Sequence, residues 1–214
     1  MKERFAIVTI LALVVGVLAP SAHAGLVLTL DDGTTSVTVS DGDLDGVVTY
    51  NGTIGNWTIN NTMGISKPAI GIPSVAVLHL HSFDATSSAG GTLMITLYDD
   101  GYTLEPPEDW KLMTSDVGGV SGGTVSFSQI YENAQGYTET LYHGPFGVGA
   151  FADTQSAWVP YVEPFSLTEV AVITHAGKAE TSFDLVSTVV PVPAALLLGA
   201  LGLGVAGIRL RKHA

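Results

Sequence analysis

The chain has 214 residues, with 20 acidic against eight basic side chains, no cysteine, and 46% apolar residues. Between Gly25 and Val190 three lysines, Lys67, Lys111 and Lys178, stand against 19 acids with no arginine, which argues against nucleic-acid binding because phosphate contacts need clustered Lys or Arg. The missing cysteine excludes thiol catalysis, disulfides and cysteine-ligated metals, while a core of about 165 residues buries enough surface to fold without staples.

In chain order, residues 1–24 read as an export signal. Lys2 and Arg4 form a positive start, Phe5 to Leu18 an apolar core, and Pro20 a breaker. Ala22-His23-Ala24 is a small-x-small cleavage site, so the mature chain is expected to begin at Gly25.

Residues 25–188 carry short alternating runs separated by Gly, Asp, Asn and Pro, with no sustained 3.6-residue period. Leu26–Leu30 and Ser36–Ser40 predict two strands around the turn Asp31-Asp32-Gly33. Val47–Asn51 and Asn56–Asn60 predict a second hairpin, and Val75–His81 pairs with Thr92–Tyr98 across a Ser/Gly loop. Leu104–Met113, with Pro106-Pro107, is expected to be a loop with at most one helical turn. Further strands are expected at Thr124–Tyr131, Thr138–Tyr142, Val148–Ala152, Ala157–Val162, Leu167–His175 and Thr181–Val186. About ten or eleven strands at this spacing predict an all-β, two-layer antiparallel sandwich, jelly-roll or immunoglobulin-like, with a closed barrel as the alternative.

Residues 189–214 form a third segment. From Val189 the chain is apolar through Ile208, enough for a transmembrane helix, and Arg209, Arg211 and Lys212 follow at once. The expected topology places the domain outside and the tail inside, with the membrane as a transient partner.

Val190-Pro191-Val192-Pro193-Ala194-Ala195, the Leu/Gly run and the terminal Arg209, Arg211 and Lys212 resemble the PEP-CTERM sorting signal of Gram-negative bacteria. Val192 stands where that family often has Glu. The resemblance implies an exosortase as partner, a processed tail, and an exopolysaccharide setting. Asp45–Tyr50, Gly64–Pro68 and Tyr98–Thr103 resemble in style the exported domains that precede such tails, which implies no activity.

Several constellations bear on chemistry. Asp41, Asp43 and Asp45 alternate before Gly46, the start of a calcium loop. Gly52 stands where an EF-hand needs Glu, so the expectation is a looser calcium site or an acidic turn. His79 and His81 share one side of a strand and are either two surface or groove histidines or a zinc pair that His143 or His175 would complete. Glu105, Glu108 and Asp109 beside Trp110 suggest a sugar site, with Tyr102, Trp57, Trp158 and Tyr161 as further stacking candidates, or an acidic loop that Trp110 anchors to the core. Ser, His and Asp occur without a marked triad, and no nucleophile elbow or phosphate loop is present. The expectation is an exported surface or matrix protein without catalysis, associated with exopolysaccharide. The alternatives are a carbohydrate-binding or calcium-dependent adhesive module, and an exopolysaccharide hydrolase.

Overall fold

The computed structural model describes residues 25–105 and 110–191. Twelve strands occur among them: β1 (Val27–Asp31), β2 (Ser36–Ser40), β3 (Val47–Ile54), β4 (Trp57–Ile65), β5 (Ala76–Ser87), β6 (Gly91–Tyr102), β7 (Trp110–Ser121), β8 (Thr124–Asn133), β9 (Thr138–Phe146), β10 (Gly149–Pro160), β11 (Phe165–His175) and β12 (Ala179–Pro191). They form two six-stranded antiparallel sheets, ordered β2-β1-β6-β11-β8-β9 and β10-β7-β12-β5-β4-β3. The last two strands thus sit in the middle of the two sheets, β11 in the first and β12 in the second.

The alternation that predicts the sandwich also fills it. In β11, Phe165, Leu167, Ala171 and Ile173 are buried, and in β12 Phe183, Leu185 and Val189. Phe183 stacks on Phe83 at a centroid distance of 4.9 Å and meets Phe127 edge-on, also at 4.9 Å. These rings join the sheets at the centre of the core, in the offset and edge geometries that aromatic quadrupoles favour.

Three expectations are corrected here. Val75–His81 and Thr92–Tyr98 do not pair, because β5 belongs to the second sheet and β6 to the first. The segment Leu104–Met113 is not simply a loop, because Trp110–Met113 open β7, which lies between β10 and β12. Val148–Ala152 and Ala157–Val162 merge into one strand, β10.

The C-terminal transmembrane helix is corrected as well. Among the described residues no helix is long and apolar enough to cross a membrane. The expected span loses its opening residues to the sheet: Val189, Val190 and Pro191 pair with Met113, Leu112 and Lys111 of β7. The inward alternation Leu185-Ser187-Val189 simply continues, and β-branched residues fit a pleated surface. The expected membrane partner and transient inner-membrane anchoring rested on that helix, and the described residues supply none. Val192, Pro193, Ala194, Ala195, Arg209, Arg211 and Lys212 lie outside the described residues, as do Ala22 and Ala24 at the expected cleavage site.

The three segments likened to exported domains meet at one corner. Gly46 takes φ 82°, and a Cβ there would come within 2.7 Å of the Lys67 carbonyl, so glycine alone lets the two segments close on each other. The Ser66 N–H donates to the Gly46 carbonyl at 2.9 Å. Lys67 Nζ lies 2.7 Å from the buried Asp99 carboxylate and also donates to the Asp100 carbonyl. Ser66 Oγ bonds both Asp99 and Tyr102. Burial, and then the Asp99 charge, push the Tyr102 hydroxyl far up, so it stays protonated.

Candidate functional site

The outward face of the second sheet gathers the chemistry. Along β7 the buried residues Lys111, Met113, Ser115 and Val117 alternate with outward Trp110, Leu112, Thr114 and Asp116. The register lays these out in rows across the sheet. Trp158, Leu112 and Val190 form the first row; Ser156, Thr114, Thr188 and Val77 the second; Thr154, Asp116, Val186, His79, Ile65 and Val47 the third. Trp110 pairs with Pro160, which makes it the diagonal neighbour of Trp158, about 7–8 Å away on the same face. The two indoles are 53% and 51% exposed. Contiguous exposed apolar surface is where interaction sites are commonly found.

Beside this pair the face is polar and indented. Thr154 Oγ1 donates to Asp116 Oδ1 at 2.6 Å. Gly118 has no side chain to fill the space between Ala152 and Asp184, its partners on either side. A depression of about 380 Å³ results, lined by Asp116, Gly118, Ala152, Thr154, Asp184 and Val186 among others.

At the far side of the depression the strands bulge. Phe183 pairs with Phe83 and Leu185 with Leu80, so His81 and Ser82 of β5 together oppose Asp184 of β12. Ser82 takes φ 49°. Its N–H donates to Asp184 Oδ1 at 2.9 Å. That oxygen lies 3.4 Å from His79 Nε2 and 3.0 Å from His81 Nδ1. Burial, and then the neighbouring His81 ring, lower the His79 pKa, which keeps that imidazole neutral near pH 7.

The expected sugar-site acids are not what accompanies Trp110. Glu105 is exposed ahead of β7, and Glu108 and Asp109 lie outside the described residues. Trp110 does not anchor a loop to the core. Trp57, Tyr102 and Tyr161 are buried, so of the listed stacking candidates Trp158 and Trp110 face solvent.

His143 and His175 do not join His79 and His81, because both are buried between the sheets. His175 bonds Ser87 Oγ at 2.8 Å and Thr181 Oγ1 at 2.7 Å. His143 links Ser115 Oγ and Asp153 Oδ2, each at 2.8 Å. The Ser115–His143–Asp153 chain has the connectivity of a catalytic triad, and the sequence did not mark it. Its serine has no solvent exposure, so an acyl substrate has no path to Oγ. The chain satisfies three polar groups at the closed edge between β7, β9 and β10. The Gln155 amide, and then His143, hold the Asp153 carboxyl below its ordinary range. Deeper in the interior, burial raises the Glu169 pKa well above 4.5, although its oxygens accept the Leu80 N–H and the Ser187 hydroxyl.

Asp41, Asp43 and Asp45 do converge: one ligand atom from each falls within 4.8 Å of the others. The turn uses two of the three, since Gly46 N–H donates to Asp41 and Val47 N–H to Asp45. Burial works against the Asp41 carboxylate, but hydrogen bonds from Gly46, Asp43, Leu44 and Asp45 outweigh it and keep its pKa low.

No family model matches this chain, and no curated protein matches it in sequence. Solved structures resemble it weakly. TmCBM61 in complex with β-1,4-galactotriose is 9% identical with a TM-score of 0.30, over 63% of this chain and 90% of that one. A family 16 carbohydrate-binding module is 11% identical with a TM-score of 0.28, over 57% and 80%. The infectious bursal disease virus Gt strain structure is 13% identical with a TM-score of 0.37, over 78% and 52%. The chain's own strand order makes it an all-β, two-sheet antiparallel sandwich.

Proposed function

We propose that this domain is a non-catalytic carbohydrate-binding module whose binding face is the outward side of the second sheet. The observation that carries the reading is the diagonal pair Trp110 and Trp158, both half-exposed on adjacent strands. A pyranose ring has C–H-rich faces and a hydroxyl-rich rim. Flat indoles receive the first by stacking, and Leu112 and Val190 extend that apolar floor. Ser156, Thr114, Thr154 and Asp116 are placed in the next rows to receive the hydroxyls.

The charge on the face selects among polysaccharides. Asp116 and Asp184 are both acidic, and the lysines Lys67, Lys111 and Lys178 lie off these rows. Like charges repel an anionic polymer, so the ligand class is neutral. The export leader suggests an extracellular glycan.

The test is calorimetry and co-sedimentation of the full chain with a panel of neutral and uronic-acid polysaccharides, beside a glycan-hydrolysis screen. Saturable binding to a neutral glycan, weakened at least tenfold in Trp158→Ala, is the expected result. No binding across the panel would reject the module. Turnover of any glycan would reject the non-catalytic part.

A further inference from the structure

We propose that His79, His81 and Asp184 form a mononuclear site for a zinc-class divalent metal, with three protein ligands and a fourth position open to solvent.

The donor set comes first. Two imidazole nitrogens and one carboxylate oxygen suit zinc and its neighbours in the first transition row, whereas calcium needs six to eight oxygens. The distances agree. With metal–ligand bonds of about 2.0–2.1 Å, tetrahedral ligand atoms stand about 3.3 Å apart. Asp184 Oδ1 lies 3.4 Å from His79 Nε2 and 3.0 Å from His81 Nδ1. One ligand atom from each of the three residues falls within 4.8 Å of the others, so a modest approach of the two rings completes the geometry.

The surroundings of His81 point the same way. Its Nε2 has Ser82 Oγ as a partner at 3.1 Å. Nδ1, the atom facing Asp184, is buried and has no hydrogen-bond partner, despite its 3.0 Å approach to the carboxylate. In the tautomer whose Nε2–H donates to Ser82 Oγ, Nδ1 carries a lone pair, and two lone-pair-bearing atoms held this close are arranged for a shared cation. Outer partners of this kind fix the tautomer and orientation of metal-binding histidines. The Ser82 N–H does the same for Asp184.

The fold explains how ligands over 100 positions apart meet. The β5 bulge sets His81 and Ser82 opposite the single residue Asp184, and bulges characteristically re-aim side chains. His79, two residues earlier, shares the face, and its ring lies 5.0 Å from that of His81, edge to face. The three side chains are 23%, 45% and 59% exposed, so an ion reaches them from solvent. The fourth position opens beside the depression that Asp184 lines, available to water or another oxygen donor.

The experiment uses the full chain purified without a polyhistidine tag. Zinc is titrated calorimetrically, and cobalt(II) is followed by visible absorption. One equivalent is expected to bind, with the intense cobalt bands of a four-coordinate ion. His79→Ala and His81→Ala should each weaken zinc at least tenfold, and Ser82→Ala severalfold while retaining both rings. Asp43→Asn, in the separate acidic turn, should leave zinc affinity unchanged. Unsaturable binding, or equal affinity in wild type and His81→Ala, would overturn the site. Should a histidine variant fail to fold, unchanged affinity in Ser82→Ala together with six-coordinate cobalt would overturn it equally.

Discussion

The two outward faces of this sandwich are built alike and equipped differently. On the first sheet the central row reads Thr38, Thr29, Thr96, Val170, Ser128, Tyr142. On the second it reads Thr154, Asp116, Val186, His79, Ile65, Val47. The first row has no ionisable group except the Tyr142 phenol, and hydroxyls and short aliphatics satisfy a solvated pleat cheaply. The second adds a carboxylate and an imidazole, and beside them lie the indole pair and the bulge. Strand propensity explains that first row. It does not explain why an aspartate and a histidine stand in the second row with two tryptophans beside them.

The sharpest way to break this comparison is to show that face and core are not separable. Phe183→Ala removes the ring shared by Phe83 and Phe127 and should destabilise the domain by about 3–5 kcal/mol. Chemical denaturation measures this, and glycan affinity of the remaining folded fraction should be unchanged. Next in size, the double variant Trp110→Ala/Trp158→Ala should lose glycan binding by far more than tenfold in calorimetry with little change in Tm. Tyr142→Ala, which removes a 70% exposed ring from the first face, should leave binding unchanged. Equal losses from both changes would erase the distinction between the faces.

Glu169 tests the interior that both sheets share. Its folded-state pKa is raised by burial, so the folded chain keeps a proton that the unfolded chain releases near 4.5. Its contribution to stability should therefore be fully present below that pH and be lost as pH rises toward the folded-state pKa, with a slope of at most about 1.4 kcal/mol per pH unit. Glu169→Gln keeps the shape and should flatten the slope in denaturation curves measured across pH. The smallest expected effect belongs to the acidic turn. If calcium binds through Asp41, Asp43 and Asp45, millimolar calcium raises Tm by a few degrees in wild type and not in Asp43→Asn; an unchanged wild-type Tm retires the ion.

Much of the fold was legible because most strands obey one rule, apolar inward and polar outward. Ser36–Ser40 is the clearest case, matched residue for residue. Strand β7 escaped because it breaks the rule at both ends and at Ser115. Lys111, Ser115 and Ser121 point inward and Trp110, Leu112 and Val120 outward. The inward polar groups are tolerated because partners wait for them: His143 for Ser115, and the Tyr161 ring 4.6 Å from Lys111 Nζ. Sequence shows the residue and not the partner. The candidate site divides the same way. The pair His79 and His81 was visible from spacing alone, but Asp184 was not, because only the β5–β12 register brings it there. Trp110 was singled out for the wrong neighbours: acids adjacent in sequence, where the sheet offers Trp158.

The placement of β11 and β12 has a consequence for how the domain comes into being. Without them the first sheet falls into β2-β1-β6 and β8-β9, and the second into β10-β7 and β5-β4-β3. Every fragment then exposes a strand edge that the native structure covers, and such edges invite pairing with other chains. Because these are the last two of the described strands, neither sheet closes until synthesis has delivered them. Non-local pairing of this kind is slow to form and open to misassembly. The fragments must wait for residues 165–191, and then each sheet closes around its own late strand, β11 in the first and β12 in the second.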